Sequence, residues 1–201
     1  FMVINPIDGE EGSLRDVIEQ ANATTGPDTI KFDLDVQDIQ VSGQIVITDK
    51  LTIDGPGADE LSVLGDGDRV FAVVPSKYAD ETDLFTTPTP DQLADAPSVK
   101  IEGLTIANGT ASNAPGLDLS SGFSFGGGIY NLGSEVHLQR VHMTGNTAEA
   151  QFLGYLGDPF TGLGGGCAIL NVTGEMTITR RHFESNEAIG GPGSVGTLSG
   201  G

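Results

Sequence analysis

One segment of this chain recurs three times, and the recurrence limits the available folds more than any other feature. Val99 to Asn108 aligns with Val136 to Asn146 and again with Met176 to Asn186, the starts lying 37 and 40 residues apart. Between them stand two glycine runs, Gly126-Gly127-Gly128-Ile129-Tyr130-Asn131 and Gly164-Gly165-Gly166-Cys167-Ala168-Ile169-Leu170-Asn171, which begin 38 residues apart. Self-similarity at this period marks stacked units that bury a core only against their neighbours. Within each repeat, short triplets carry apolar residues at both outer positions: Ile45/Ile47, Leu51/Ile53, Leu61/Val63, Leu104/Ile106, Val136/Leu138 and Val141/Met143. Alternation over so few residues, bounded by Gly and Asn, predicts very short strands with one face inward. Stacked rung on rung, about 4.8 Å apart, such strands form a continuous apolar column. Asn108, Asn146 and Asn186 follow the last triplet of each repeat and are expected to form an amide ladder along the stack.

A stack has two apolar ends that need covering. At the first, Ser13 reads as a helix N-cap with Asp16 three residues on. Leu14, Val17, Ile18 and Ala21 share a helical stripe, and Gly26-Pro27 stops it. Residues 1–26 are thus predicted to be a helical cap, 27–74 the first coils, 75–98 an excursion and 99–201 the repeat coils, all in one domain. The segment 75–98 holds four of the ten prolines and five acids, which makes it a loop. The loops 110–125 and 148–163 hold equivalent places in successive repeats and should emerge side by side. They carry Phe123, Phe125, Phe152, Tyr155 and Phe160, five of the twelve Phe and Tyr residues, as candidate contacts for a glycan or a protein. At the other end the chain stops within a repeat, and no capping helix follows. The expectation is a fragment of a longer β-helix, or an open end that self-associates with another copy.

Composition narrows the partners. A net charge of −19, from 28 acidic and nine basic residues, disfavours nucleic acid, whose phosphates need clustered Lys and Arg. No apolar run approaches the roughly 20 residues of a membrane-spanning helix, so no membrane insertion is expected of this segment. The single Cys167 excludes an internal disulfide framework, and its place after the glycine run, matched to Ile129, reads as core. The chain opens with Phe1, as a mature or excised segment would, and its acidity and low cysteine content fit a secreted or cell-surface protein.

The order of several motifs resembles a known family. Asp8-Gly9, Gly12-Ser13-Leu14-Arg15-Asp16-Val17-Ile18 and Ala21-Asn22 are similar to the opening motif of bacterial extracellular proteins with a CSLREA module. Asp28 to Phe32, Leu51 to Ala58, Arg69-Val70-Phe71, and the glycine-run and Gly-Asn-Thr-Ala elements resemble that family's later signatures, including polymorphic-outer-membrane-protein-like repeats. The resemblance implies a right-handed parallel β-helix of the pectin-lyase-like kind, on secreted or surface proteins described as adhesin-like. Gly12 stands where the family often has Cys. Arg180-Arg181 replaces small polar residues, and Arg181 aligns with the inward Leu104 and Val141. A buried, unpaired guanidinium is very costly. That strand should therefore lie at a wet end, or Glu175 or Glu184 should reach the charge.

Two kinds of chemistry deserve weighing. Pectin-lyase-like folds include polysaccharide lyases and glycosidases, so a carbohydrate-active enzyme is the alternative to a non-catalytic module. Its best candidates are His142, Arg180 and His182, which the repeat places on neighbouring coils. A glycosidase needs two carboxylates about 5–10 Å apart. Glu102, Glu135, Glu175 and Glu184 lie near strands, but the alignment pairs none of them across adjacent coils. Separately, Asp54, Asp59, Asp66 and Asp68, with Glu60, fall on glycine-rich turns within fifteen residues, a pattern that suits Ca²⁺ as well as ordinary tight turns. No other cofactor is indicated. The glycine triplets precede strands, which excludes a phosphate cradle at a helix N-terminus.

Overall fold

The computed structural model describes residues 1–33, 36–79, 89–112, 124–149 and 164–189. Apart from one helix and two short 3₁₀ turns, its regular elements are strands, and every strand pairing among the described residues is parallel. This stacking is compatible with a β-helix-like fold.

Three faces are visited in turn. The first stacks Met2–Val3, Asp28–Phe32, Leu51–Asp54, the opening half of Ser98–Ala107, the opening half of Glu135–Thr144, and Glu175–Thr179. The second stacks Asp38–Val41, Ser62–Gly65, the closing halves of those two long strands, and His182–Glu184. The third stacks Ile45–Ile47, Phe71–Val73, Ile129–Leu132 and Ile169–Val172. The corner between the first two faces falls on Gly103, Arg140 and Arg180 in successive rungs, all with left-handed backbone at φ 63°, 54° and 50°. Glycine is required at the first of these, because a Cβ on Gly103 would lie 2.5 Å from the Gly55 carbonyl oxygen.

The register confirms the inward triplets and produces columns of like residues. Ile30, Ile53, Ile101, Leu138 and Ile178 form one column, and Ile39, Val63, Ile106, Met143 and Phe183 another. Fully burying each such side chain contributes about 1.5–3 kcal/mol, so the column supplies the main driving force. A smaller apolar cluster lies on the outside of the third face, where Ala72, Val74, Tyr130 and Leu132 pack with Tyr78 of the 75–98 excursion.

The N-terminal helix forms as its sequence predicts. The helix spans Leu14–Asn22 and buries Leu14, Val17, Ile18 and Ala21. The Ser13 hydroxyl accepts the Asp16 N–H, and the Asp16 carboxylate accepts the N–H of Gly12, one residue before the N-cap, while the Ser13 N–H donates to the Glu10 carbonyl. The helix also satisfies the open backbone edge of the third face. The Asn22 amide accepts from the Thr48 N–H and donates to the Val46 carbonyl, as a further strand would. Arg15 pairs with Asp8 at 2.9 Å and donates to the carbonyls of Ser42, Gly43 and Gln44. The motif Arg15…Asn22 therefore closes both the apolar and the polar part of this end. No helix among the described residues is long and apolar enough to cross a membrane.

The register corrects the repeat alignment in three places. Ser124 pairs with Gly164 and Ile129 with Ile169, so the rung offset is 40, and the glycine runs are displaced by two residues. Cys167 consequently lies opposite Gly127 rather than Ile129, and is half-buried instead of core. Ala107 pairs with Thr144, which places Gly109, not Asn108, beside Asn146. Asn108 takes left-handed backbone one position earlier, φ 57°. The ladder keeps two amides. Asn146 Nδ2 donates to Asn186 Oδ1 at 2.9 Å and to the Ile106 carbonyl, while its own Oδ1 accepts the Gly109 N–H. A second ladder joins Asn131 to Asn171 at 2.7 Å.

Candidate functional site

Two regions collect the candidate residues: the roots of the two aromatic loops, and a polar column on the second face. The ends of both loops prove to be strand. Thr110–Ser112 pairs with Thr147–Glu149, and the latter with Glu187–Ile189; Ser124–Phe125 pairs with Gly164–Gly165. Both loops thus leave and rejoin the stack at equivalent positions of adjacent rungs, which is how the repeat places them. Phe125 is half-buried at such a root. Phe123, Phe152, Tyr155 and Phe160 lie outside the described residues.

Arg69 fastens this root. Its Nε donates to the Gly126 carbonyl, Nη2 to the Phe125 carbonyl and Nη1 to Gln44 Oε1, each at 2.7 Å. The guanidinium lies 5.0 Å from the centre of the Tyr130 ring. No carboxylate among the described residues stands within ion-pair distance, and Asp68 only offsets the charge from further off. Burial therefore dominates, lowering the Arg69 pKa to about 10 and raising that of the Tyr130 phenol to about 12. Gln44 ties this arginine to the cap, since its backbone carbonyl accepts from Arg15. The sequence presents Arg69 only as part of a motif, and nothing local signals a side chain whose partners lie 25 to 57 residues away.

The acids proposed for Ca²⁺ are spread apart. Asp54 sits on the first face, 3.6 Å from Lys31. Asp66 and Asp68 flank Gly67, whose φ is 79°. Asp59 projects from the turn at 58–60, with its side chain 95% exposed. Among the described residues, no three or more His, Cys, Asp or Glu side chains are arranged to hold a metal ion.

His142 and His182 are brought together. They pair in register on adjacent rungs, with ring centroids 5.5 Å apart and ring planes at 66°. The turn bearing Asp59 folds beside them, held where the Thr105 hydroxyl donates to the Ala58 carbonyl. Asp59 Oδ1 lies 3.9 Å from His142 Nδ1, and Glu184 Oε2 lies 3.1 Å from His182 Nε2. Asp59 also lines a groove with Gln37, Asp38, Pro56, Glu60 and Ser62. Arg180 is exposed at the corner two residues before His182. Arg181, at the register position of Val141 on the last described rung, is exposed too, so its charge stays in water.

One carboxylate pair corrects the sequence reading: Glu135 and Glu175 are partners in register on the first face. The arrangement does not suit a general acid, which needs a raised pKa. The Ser98 hydroxyl, and then His137, hydrogen-bond to Glu135 and hold its carboxyl below the usual range.

No family model, curated protein or solved structure matches this chain.

Proposed function

We propose that residues 1–201 form a single domain of a right-handed parallel β-helix, acting as a non-catalytic, adhesin-like module of a secreted or cell-surface protein. Parallel crossovers are right-handed in about 98% of cases, which supports the hand. The resemblance to CSLREA-type proteins and the acidic composition support the setting. In this reading the loops 110–125 and 148–163 bind a glycan or a protein through Phe123, Phe125, Phe152, Tyr155 and Phe160.

The observation that carries the reading is the paired rooting of the loops. Ser124–Phe125 stacks on Gly164–Gly165, and Thr110–Ser112 on Thr147–Glu149, which fixes the two roots about 4.8 Å apart. Arg69 locks the Phe125–Gly126 exit to the cap through Gln44. Fixed roots reduce the ordering cost of binding. Aromatic rings suit both a sugar face and a protein hot spot.

Glycan-array and cell-surface binding tests the reading. Phe125→Ala and Tyr155→Ala should weaken binding without changing the melting temperature by more than a few degrees. Retained binding in both variants would sink it. Turnover of polyuronides that vanishes in Arg180→Ala would replace it with the carbohydrate-active alternative. A melting temperature raised by millimolar Ca²⁺ but not Mg²⁺ would add calcium to the module.

A further inference from the structure

We propose that His142 and His182 form a two-histidine site for a borderline divalent metal ion such as Zn²⁺ or Ni²⁺, clipping the last described rung to the one before it. The chain has three histidines, and the 40-residue register puts two of them in one outward column. Their side chains are 37% and 59% exposed, so both rings have room to turn. A tetrahedral zinc ion with Zn–N bonds of about 2.0–2.1 Å holds two imidazole nitrogens about 3.3 Å apart. Parallel rungs set the backbones about 4.8 Å apart. The ring centroids stand at 5.5 Å, and each nitrogen lies on its ring's perimeter. The site requires the edge-to-face pair to turn so that one nitrogen of each ring faces the other across the ion.

The surroundings favour a cation. Asp59 stands 3.9 Å from His142 and Glu184 3.1 Å from His182, one carboxylate against each ring. These acids supply a negative field for the ion, whose remaining coordination positions water fills. Imidazole selects Zn²⁺, Ni²⁺ and Cu²⁺ over Ca²⁺ and Mg²⁺, which prefer oxygen. The third histidine supplies the control. His137 lies on the first face, bonded to Glu135, with Lys100 and Thr177 as its register neighbours and no second imidazole.

The test is calorimetric titration of the chelator-treated chain with ZnCl₂ and NiCl₂, using CaCl₂ and MgCl₂ as comparisons. The expected result is one equivalent of Zn²⁺ or Ni²⁺. Affinity should fall roughly tenfold or more in His142→Ala and in His182→Ala and stay unchanged in His137→Ala. Circular dichroism of each variant separates lost binding from lost folding. Such loss of fold is not expected at outward, part-exposed positions. Binding that survives in the double variant His142→Ala/His182→Ala, or that falls equally in His137→Ala, overturns the site. So does binding in which Ca²⁺ matches Zn²⁺, or no Zn²⁺ binding at millimolar concentration.

Discussion

The rungs under the N-terminal helix and the last described rung share one inward pattern, yet they are buried very differently. In the first column Ile30, Ile53 and Ile101 are fully buried and Leu138 is 1% exposed, whereas Ile178 is only partly covered. On the second face Ile39, Val63, Ile106 and Met143 are fully buried, and Phe183 again is not. Even the amides divide this way, since Asn131 and Asn146 are fully buried while their partners Asn171 and Asn186 are more exposed. The side chains scarcely differ in kind. What differs is the number of neighbours: an inner rung has one above and one below, and the last described rung has one among the described residues. Burial in a stack is thus a property of position along the axis. Arg181 occupies an inward register on the rung that has a single neighbour among the described residues, where its charge is exposed.

Exchanging charge between the two regions gives the largest expected effect. Val141→Arg puts a guanidinium where Val141 is 1% exposed and should cost more than about 4 kcal/mol, or prevent folding, in a urea titration. Tolerance of this variant would break the comparison. Truncation within one column comes next. Ile101→Ala should lose about 3–5 kcal/mol, against less than about 2 kcal/mol for Ile178→Ala, which leaves no closed cavity. Equal losses would mean that the last described rung is as well covered as the inner ones. At the capped end, Arg15→Ala removes the Asp8 pair and the donors to three carbonyls. It should cost about 2–3 kcal/mol by thermal denaturation, with hydrogen exchange accelerated first at residues 42–48. Exchange that instead rises first at 176–184 would place the weaker end elsewhere. The smallest effect is expected of Arg181→Leu, within about 0.5 kcal/mol of the parent protein, because the side chain is already in water.

The residue order alone determined the features written in local alternation or in recurrence. These are the inward triplets, the stacking of 99–107 on 136–144 and 176–184, and the capping helix from Ser13 with its apolar stripe. The hydrophobic effect acts on each pattern in the same way wherever it occurs. Three strands carry no sequence signal because Thr110–Ser112, Thr147–Glu149 and Glu187–Ile189 are centred on alanine, too small to raise an alternating pattern. Their existence depends on pairing with one another. The tertiary structure alone decided the registers that differ by one or two residues, moving Asn108 off the ladder and Cys167 off the core. In a parallel stack, register is set by the neighbouring rung's hydrogen bonds rather than by the segment itself. It also decided the long-range polar contacts, in which Arg69 reaches Gln44, Phe125 and Gly126, and Asp59 comes to lie beside His142, 83 residues further on. Arginine and histidine carry no periodicity that foretells such partners. Only the closing of one rung over another brings them within reach.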